Sequence, residues 1–203
     1  MKQCVEEVCG TLLSHEEELN ELDRGGGDGD CGTTFKQWAL GMQQQSSCVN
    51  WDTPQKALLG LARCTEQHMG GTSGALYTVF FTAAARALLN PEVPVSWAQS
   101  LKEGTEAVMV YGGAKPGCRT MLDALCPAVE LLITQLPNCP DHKTMNILEL
   151  AVKAAQTGAE ATVKLKAKAG RASYVPSHQI TQKDAGAHAV SLWLKAIHDT
   201  LVR

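Results

Sequence analysis

The chain has 203 residues, of which 44% are hydrophobic and 19% charged, a balance that suits one folded core and excludes a disordered polypeptide. Its formal net charge is −3 and no Lys/Arg-rich run stands out, so a nucleic-acid partner, which needs a basic face, is not expected. The eight cysteines, at 4, 9, 31, 48, 64, 118, 126 and 139, form no C-x-x-C pair; this argues against zinc and a disulfide scaffold, and for reduced thiols in a cytoplasmic protein.

Taken in chain order, apolar residues recur at helical spacing almost throughout. Val5, Val8, Leu12, Leu19 and Leu22 form one stripe, and Trp97, Leu101, Val108 and Tyr111 another. Leu122, Leu125, Val129 and Leu132 repeat the pattern, as do Ala187, Val190, Leu194, Ile197 and Leu201. No run of alternating β-branched residues appears, so the expected class is all-α. Breakers predict eight helices near 2–22, 33–46, 54–69, 74–89, 96–111, 119–135, 143–167 and 184–202. Short connections favour an antiparallel up-down arrangement. The longest apolar stretch, Ala75 to Leu89, is interrupted by Thr78, Thr82 and Arg86 and is too short to span a bilayer. Glu6 and Glu7 fall where a signal peptide would need apolar residues, so no membrane partner is expected.

In an up-down bundle, the connections after the first, third, fifth and seventh helices fall at one end. They read LDRGGGDGDCGTT, MGGTSG, YGGAKPGCRTM and GRASYVPSHQITQKDAG. The other three read QQQSSCVNWDTP, NPEVPVS and QLPNCPDHK. Glycine, hydroxyl and acidic chemistry is thereby sorted to one end, which is the expected site.

The first loop brings Asp23, Asp28 and Asp30 together with only Arg24 among them. Such carboxylates repel unless a cation joins them, and Mg²⁺ takes oxygen ligands of this kind. An ordinary polar turn is the alternative, since Asp and Gly dominate turns. Gly27, Gly29 and Gly32 formally match G-x-G-x-x-G, but they follow a helix rather than a strand, and Asp28 and Asp30 would face a pyrophosphate. The calcium-loop spacing fails, and no G-K-[ST] is present. Cys31, Gly32, Thr33 and Thr34 open the second predicted helix, and Gly70 to Gly74, with Thr72 and Ser73, open the fourth. Helix N-termini cradle phosphate, although Thr and Ser are also ordinary caps. In the third loop Lys115 and Arg119 offer positive charge, Lys115 reading as a solvated residue. The long fourth loop carries Arg171, Tyr174, His178 and Asp184, His178 reading as a surface histidine. His15 falls on the apolar stripe of the first helix, and the four tryptophans read as core or rim.

Together, LDRGGGDGDCGTT, GGTSGALY, CRTMLDAL and GRASYVPSHQ…DAGA resemble the ATP-binding (L) domain of dihydroxyacetone kinases, with the animal triokinase/FMN cyclase branch the nearest in character. The resemblance spans the chain and keeps the loop order. It implies a barrel of eight antiparallel helices around an apolar cavity, with a single ATP-binding domain over 1–203. It implies that Asp23, Asp28 and Asp30 hold two Mg²⁺ ions against ATP or ADP. Nucleotide contacts would fall on Cys31, Gly32, Thr33, Thr34, Thr72, Ser73, Gly112, Thr120, Met121 and Arg171, and on Asp184, Ala185 and Gly186. The activity implied is transfer of phosphate from ATP to dihydroxyacetone, with no catalytic residue beyond the metal and phosphate ligands. The acceptor would be held by a separate K domain, for which no α/β segment exists here; without it the isolated chain is expected to be inactive. A homodimer is a further expected arrangement. FAD cleavage to cyclic FMN at the same site, with Mn²⁺, is the alternative output, and a nucleotide-retaining partner subunit or a helical scaffold are the non-enzymatic ones.

Two departures stand out. The family's Gly-Asp-Arg-Thr reads Gly117, Cys118, Arg119, Thr120 here, and its Asp-Pro-Gly reads Asp184, Ala185, Gly186. Loss of the first carboxylate is expected to weaken nucleotide positioning, and the second change to be milder.

Overall fold

The computed structural model describes residues 1–203, with the side chain of Asp141 left outside the description. Among the described residues there is no strand. The helices are α1 Lys2–Ser14, α2 Glu16–Arg24, α3 Cys31–Gln45, α4 Pro54–His68, α5 Gly71–Ala87, α6 Pro94–Gly112, α7 Leu122–Gln135, α8 Thr144–Ala161 and α9 Ala185–Leu201. The all-α expectation therefore stands, with nine helices in place of eight.

The extra helix arises from a break in the first predicted one. At Ser14 and His15 the side chains compete with the backbone: Ser14 Oγ donates to the Thr11 carbonyl at 2.9 Å, and His15 Nδ1 donates to it at 2.7 Å. His15 turns out of helical geometry at ψ 15°, and α2 restarts beside it. Both segments pack between α3 and α9, so the break bends one arm of the bundle and adds no new one. The predicted seventh helix also ends early, at Ala161 instead of 167. Thr162 Oγ1 donates to the Ala159 carbonyl at 2.5 Å and accepts from the Asp184 N–H at 2.8 Å, which draws the chain off the helix axis.

Each helix packs on the next in sequence from α3 to α9, and α9 closes back onto α1 and α2. The result is a closed ring. Leu12, Leu19, Leu122 and Leu125 are fully buried on its inner stripes, each worth about 1.5–3 kcal/mol of transfer free energy. Where α7 meets α8 the backbones nearly touch. Pro127 has no N–H to satisfy the Asp123 carbonyl one turn back, and that carbonyl presses on Gly158, where a methyl group would lie 2.0 Å away. Inside the ring a cavity of about 460 Å³ runs from Met1, Pro94 and Met145 up to Phe35, Tyr77 and Trp193. The apolar cavity implied by the resemblance is thus present. Tyr111, counted on the apolar stripe of α6, is 76% exposed, because it sits in the final turn where the helix leaves its neighbours. Trp38 and Trp193 are buried, whereas Trp51 and Trp97 are half-buried at the opposite end, their N–H groups donating to the Ser46 and Pro91 carbonyls.

Among the described residues no helix is long and apolar enough to cross a membrane. All eight cysteines are free thiols.

Candidate functional site

The connections after α2, α4, α6 and α8 meet at one end of the ring, as the sorting of their residues predicts. Gly26 marks the junction of three of them. A methyl group there would lie 3.2 Å from the Ala172 side chain of the fourth loop and 3.5 Å from the Arg119 guanidinium of the third. Further ties are the Lys168 N–H to the Cys118 carbonyl at 3.0 Å and an ion pair of Arg171 with Asp28. The second loop joins through α5. Phe35, one turn into α3, stacks edge-on with Tyr77 of α5 at 5.6 Å, and Gly112 at the end of α6 lies against Leu76. Gly186 lies against Met121, which brings the start of α9 to the start of α7.

The first loop is shaped by one carboxylate. Asp23 Oδ2 accepts the N–H groups of Gly29 (3.0 Å) and Asp30 (3.1 Å), while the Asp23 carbonyl accepts from Gly26 and Gly27. Gly29 sits at φ 75°, a conformation glycine adopts without strain. Burial, with the charge of Asp23, Asp184 and Asp30 adding to it, pushes the Cys31 thiol far above its ordinary pKa.

Three hard oxygen donors on one tight loop have the chemistry for Mg²⁺, and the negative field felt at Cys31 is of the sign a cation would relieve. The donor types fit. Their arrangement is only half-made: among the described residues no three His, Cys, Asp or Glu side chains converge closely enough to hold an ion. Asp23 is engaged with amides, and Asp28 would have to exchange Arg171 for a metal.

Two helix N-termini face the same rim. α5 has Gly70 at its cap with no side-chain cap hydrogen bond, so Thr72 and Ser73 stand exposed in the first turn and neither hydroxyl is consumed in capping. The N–H groups of Gly71, Thr72 and Ser73 lack carbonyls one turn back. α3 differs. Its Thr33 N–H donates to Asn20 Oδ1 at 3.0 Å, its hydroxyl accepts from Asn20 Nδ2 and donates to Glu16, and the Thr34 N–H donates to the Asp30 carbonyl at 2.9 Å. The Thr33 amide and hydroxyl and the Thr34 amide are thus engaged within the chain, whereas the first-turn N–H groups of Cys31 and Gly32 have no carbonyl one turn back.

The third loop is organised by a residue that motif reading passed over. Asp123 Oδ1 accepts the Gly117 N–H at 2.5 Å and its Oδ2 accepts the Thr120 N–H at 2.8 Å. The signal was present: Thr120-Met121-Leu122-Asp123 is the [ST]-x-x-[DE] pattern of a capping box. Thr120 Oγ1 in turn accepts the Leu122 N–H at 3.3 Å. Arg119, read as a possible phosphate partner, is 3% exposed and turned inward, donating to the Gln182 carbonyl at 2.9 Å and to Asp184 Oδ2 at 3.4 Å. Lys115 is exposed, as expected.

Asp184 caps α9, its Oδ1 accepting the Ala187 N–H at 2.8 Å. Burial pushes its carboxyl up to about 6, against the pull of that N–H and of Arg119, with Asp123 and Asp23 adding repulsion. Ala185 is buried behind it and Gly186 half-buried. In the remainder of the fourth loop Arg171, Tyr174 and His178 are exposed. His178 has no place in the cluster beyond lying on the same loop.

A family model for the DAK2 domain matches residues 26–199. The chain is 42% identical to triokinase/FMN cyclase of Homo sapiens over 208 residues, spanning 99% of this chain and 35% of that protein. It is 39% identical to the dihydroxyacetone kinase of Citrobacter freundii, spanning 97% of this chain and 34% of that one. The crystal structure of the C. freundii enzyme in its native form superposes with a TM-score of 0.77 at 32% identity, over 98% of this chain and 34% of that one. The same enzyme in complex with AMP-PNP and Mg²⁺ gives a TM-score of 0.75, over 98% of this chain and 33% of that one. The chain thus spans about a third of the length of the relatives it matches. A closed helical ring, four loops gathered on one rim and matches of this extent lead to one conclusion: the chain belongs to the DAK2-domain family.

Proposed function

We propose that the rim binds Mg-ATP and that the chain acts as the nucleotide-binding part of an ATP-dependent dihydroxyacetone kinase, with the acceptor held by a separate K domain. One observation carries the reading: loops far apart in sequence, each bearing acidic or amide donors for metal and phosphate, interlock around Gly26 on a single rim. The C. freundii relative solved with AMP-PNP and Mg²⁺ supports it.

In this reading Asp23 holds the first loop in shape while Asp28 and Asp30 present oxygens to two Mg²⁺ ions, and Asp28 gives up Arg171 to do so. The ions, when bound, neutralise and bridge the phosphates. The N–H groups of Cys31 and Gly32, and those of Thr72 and Ser73, orient the phosphate oxygens at two helix ends. Thr33 serves by fixing the start of α3, and the Thr34 hydroxyl turns toward the phosphates. Gly112, Thr120, Met121, Ala185 and Gly186 form the walls around the nucleotide, Asp184 anchors the last of these, and Arg171 is released toward the phosphates. Transfer then rests on positioning and charge neutralisation, with no covalent intermediate on the chain. Cys118 supplies no carboxylate, so phosphoryl transfer is expected to be slower than in relatives that have one. The isolated chain is proposed to bind nucleotide without turning over, in a reducing cytoplasm that suits its free thiols, either alone with a K domain or as a homodimer.

Calorimetric titration with ATP and ADP, with and without Mg²⁺, tests this directly. The chain should bind ATP in a Mg²⁺-dependent manner, and the Asp28→Asn, Asp30→Asn double variant should lose that dependence. Undiminished binding by the variant would overturn the metal assignment. Turnover on adding a K domain and dihydroxyacetone would establish the kinase. The human relative, 42% identical, carries the name triokinase/FMN cyclase, and the second output we propose on that ground is cleavage of FAD to cyclic FMN, with Mn²⁺ at the same aspartates. FAD binding with Mn²⁺ and release of AMP would favour it.

A further inference from the structure

We propose that Arg119 is a positioning residue, a tether that fixes the fourth loop over the site, and that it does not contact phosphate. The proposal rests on the reading of the rim as a Mg-ATP site. Arg119 is the one non-glycine residue at positive φ among the described residues, at φ 61°, in a region that L side chains enter at a cost. What pins it there is Asp123, whose two oxygens grip the N–H groups of Gly117 and Thr120 on either side.

The reward of that conformation is the direction of the side chain. The guanidinium is buried beneath the rim and divides its donors between the Gln182 carbonyl (2.9 Å) and Asp184 Oδ2 (3.4 Å), and it lies close enough to Gly26 that a methyl group there would be 3.5 Å from its Nη1. Three loops are thereby joined at one planar cation. Lys183, between its two partners, reaches Glu160 of α8 at 2.7 Å, and the Asp184 N–H reaches Thr162, so this segment of the loop is pinned along its length. Upstream, Arg171 and Tyr174 are exposed and Arg171 is held by Asp28 alone. The reach of Arg171 and the placing of Ala185 and Gly186 therefore depend on where Arg119 holds Gln182 and Asp184. A lysine would keep the charge yet lose the planar fork that serves two acceptors together.

The test compares the wild-type chain with Arg119→Lys and Asp184→Asn, the latter keeping the α9 cap while removing the charged partner. Three quantities are read: thermal midpoint, Mg-ATP affinity by calorimetry, and tryptic cleavage between residues 164 and 183 in the nucleotide-free chain. Arg119→Lys should stay folded, be cleaved faster, and bind Mg-ATP at least about tenfold more weakly, the scale of one lost charged hydrogen bond. A purely structural residue would lower the midpoint and leave the affinity of the folded protein unchanged. The two substitutions combined should be no worse than the stronger single one, because both cut the same tether. Wild-type affinity in Arg119→Lys, wild-type cleavage, or additive losses in the double variant would each overturn the proposal. A wild-type chain that bound no Mg-ATP would instead sink the nucleotide reading, and cleavage alone would then decide on the tether.

Discussion

The two ends of the ring solve the problem of turning a chain in different ways. At the end bearing the site, all six positive-φ residues of the described chain are found: Gly29, Gly71, Gly113, Gly117, Arg119 and Gly170. At the other end there are none, and turns are made mainly with Pro54, Pro91, Pro94, Pro137 and Pro140, against Pro116 and Pro176 at the site end. Proline fixes φ and removes an N–H, which stiffens a turn and lowers the entropy of the unfolded chain. Glycine does the opposite, and its use is justified where the backbone must bend tightly with its amides turned toward a ligand. One end is built to hold the helices together and the other to present N–H groups and carboxylates, at the expense of stability. Substitutions at the site end should accordingly move ligand affinity more than stability, and those elsewhere the reverse.

The most severe test is Asp23→Ala. It removes the carboxylate that accepts from both Gly29 and Asp30, and Mg-dependent ATP affinity should fall about 100-fold or more, with a small change in thermal midpoint. A large midpoint shift with intact affinity would break the comparison. Gly158→Ala, in the wall between α7 and α8, should act in the contrary sense. Its new methyl group would meet the Asp123 carbonyl, costing about 1–3 kcal/mol in denaturant unfolding. Because Asp123 also holds the third loop, any added loss of ATP affinity would measure how far strain in the wall reaches the rim.

Thr53→Ala, at the proline-rich end, deletes the N-cap of α4, where Thr53 Oγ1 accepts the Lys56 N–H at 3.3 Å. Stability should drop by about 1 kcal/mol and the nucleotide isotherm should be unchanged. The gentlest handle is pH. Asp184 titrates near 6 in the folded chain and lower when unfolded, so the native state holds the extra proton between these values. Its contribution to stability is present at low pH and is lost as pH rises through about 6. The stability of the wild type relative to Asp184→Asn should therefore grow as pH is lowered from about 7 to 5. A flat difference in paired denaturant titrations would show that Arg119 compensates the charge fully.

Much of the fold was legible because helical spacing is a local property. The stripe of α7 buried all its expected residues and that of α9 did so as far as Leu194, with Ile197 half-buried and Leu201 exposed where the helix ends, and the loops fell to the two ends by simple alternation. That alternation survived a miscount: the break at Ser14 and His15 comes from side chains competing for the Thr11 carbonyl, a competition the apolar pattern does not register. Leu22 and Tyr111 belong to regular stripes, yet Tyr111 is exposed, since a stripe records spacing and not whether a neighbour reaches that far. Site residues divided similarly. Thr72 and Ser73 stand free in a first turn, as the surplus of hydroxyls and glycines suggested, whereas Thr33 is tied to Asn20, a partner 13 residues away on another helix.

The sequence by itself determined that this chain is helical, that its connections alternate in chemistry, and that carboxylates and helix N-termini share one end. These follow from periodicity and turn preference, which act over a few residues. Only the tertiary structure decided that Arg119 faces inward, that Asp123 shapes the third loop, and that Asp28 begins in the grip of Arg171. Each of these depends on which groups the closed ring brings within hydrogen-bonding distance, and distance in space is not encoded in local spacing.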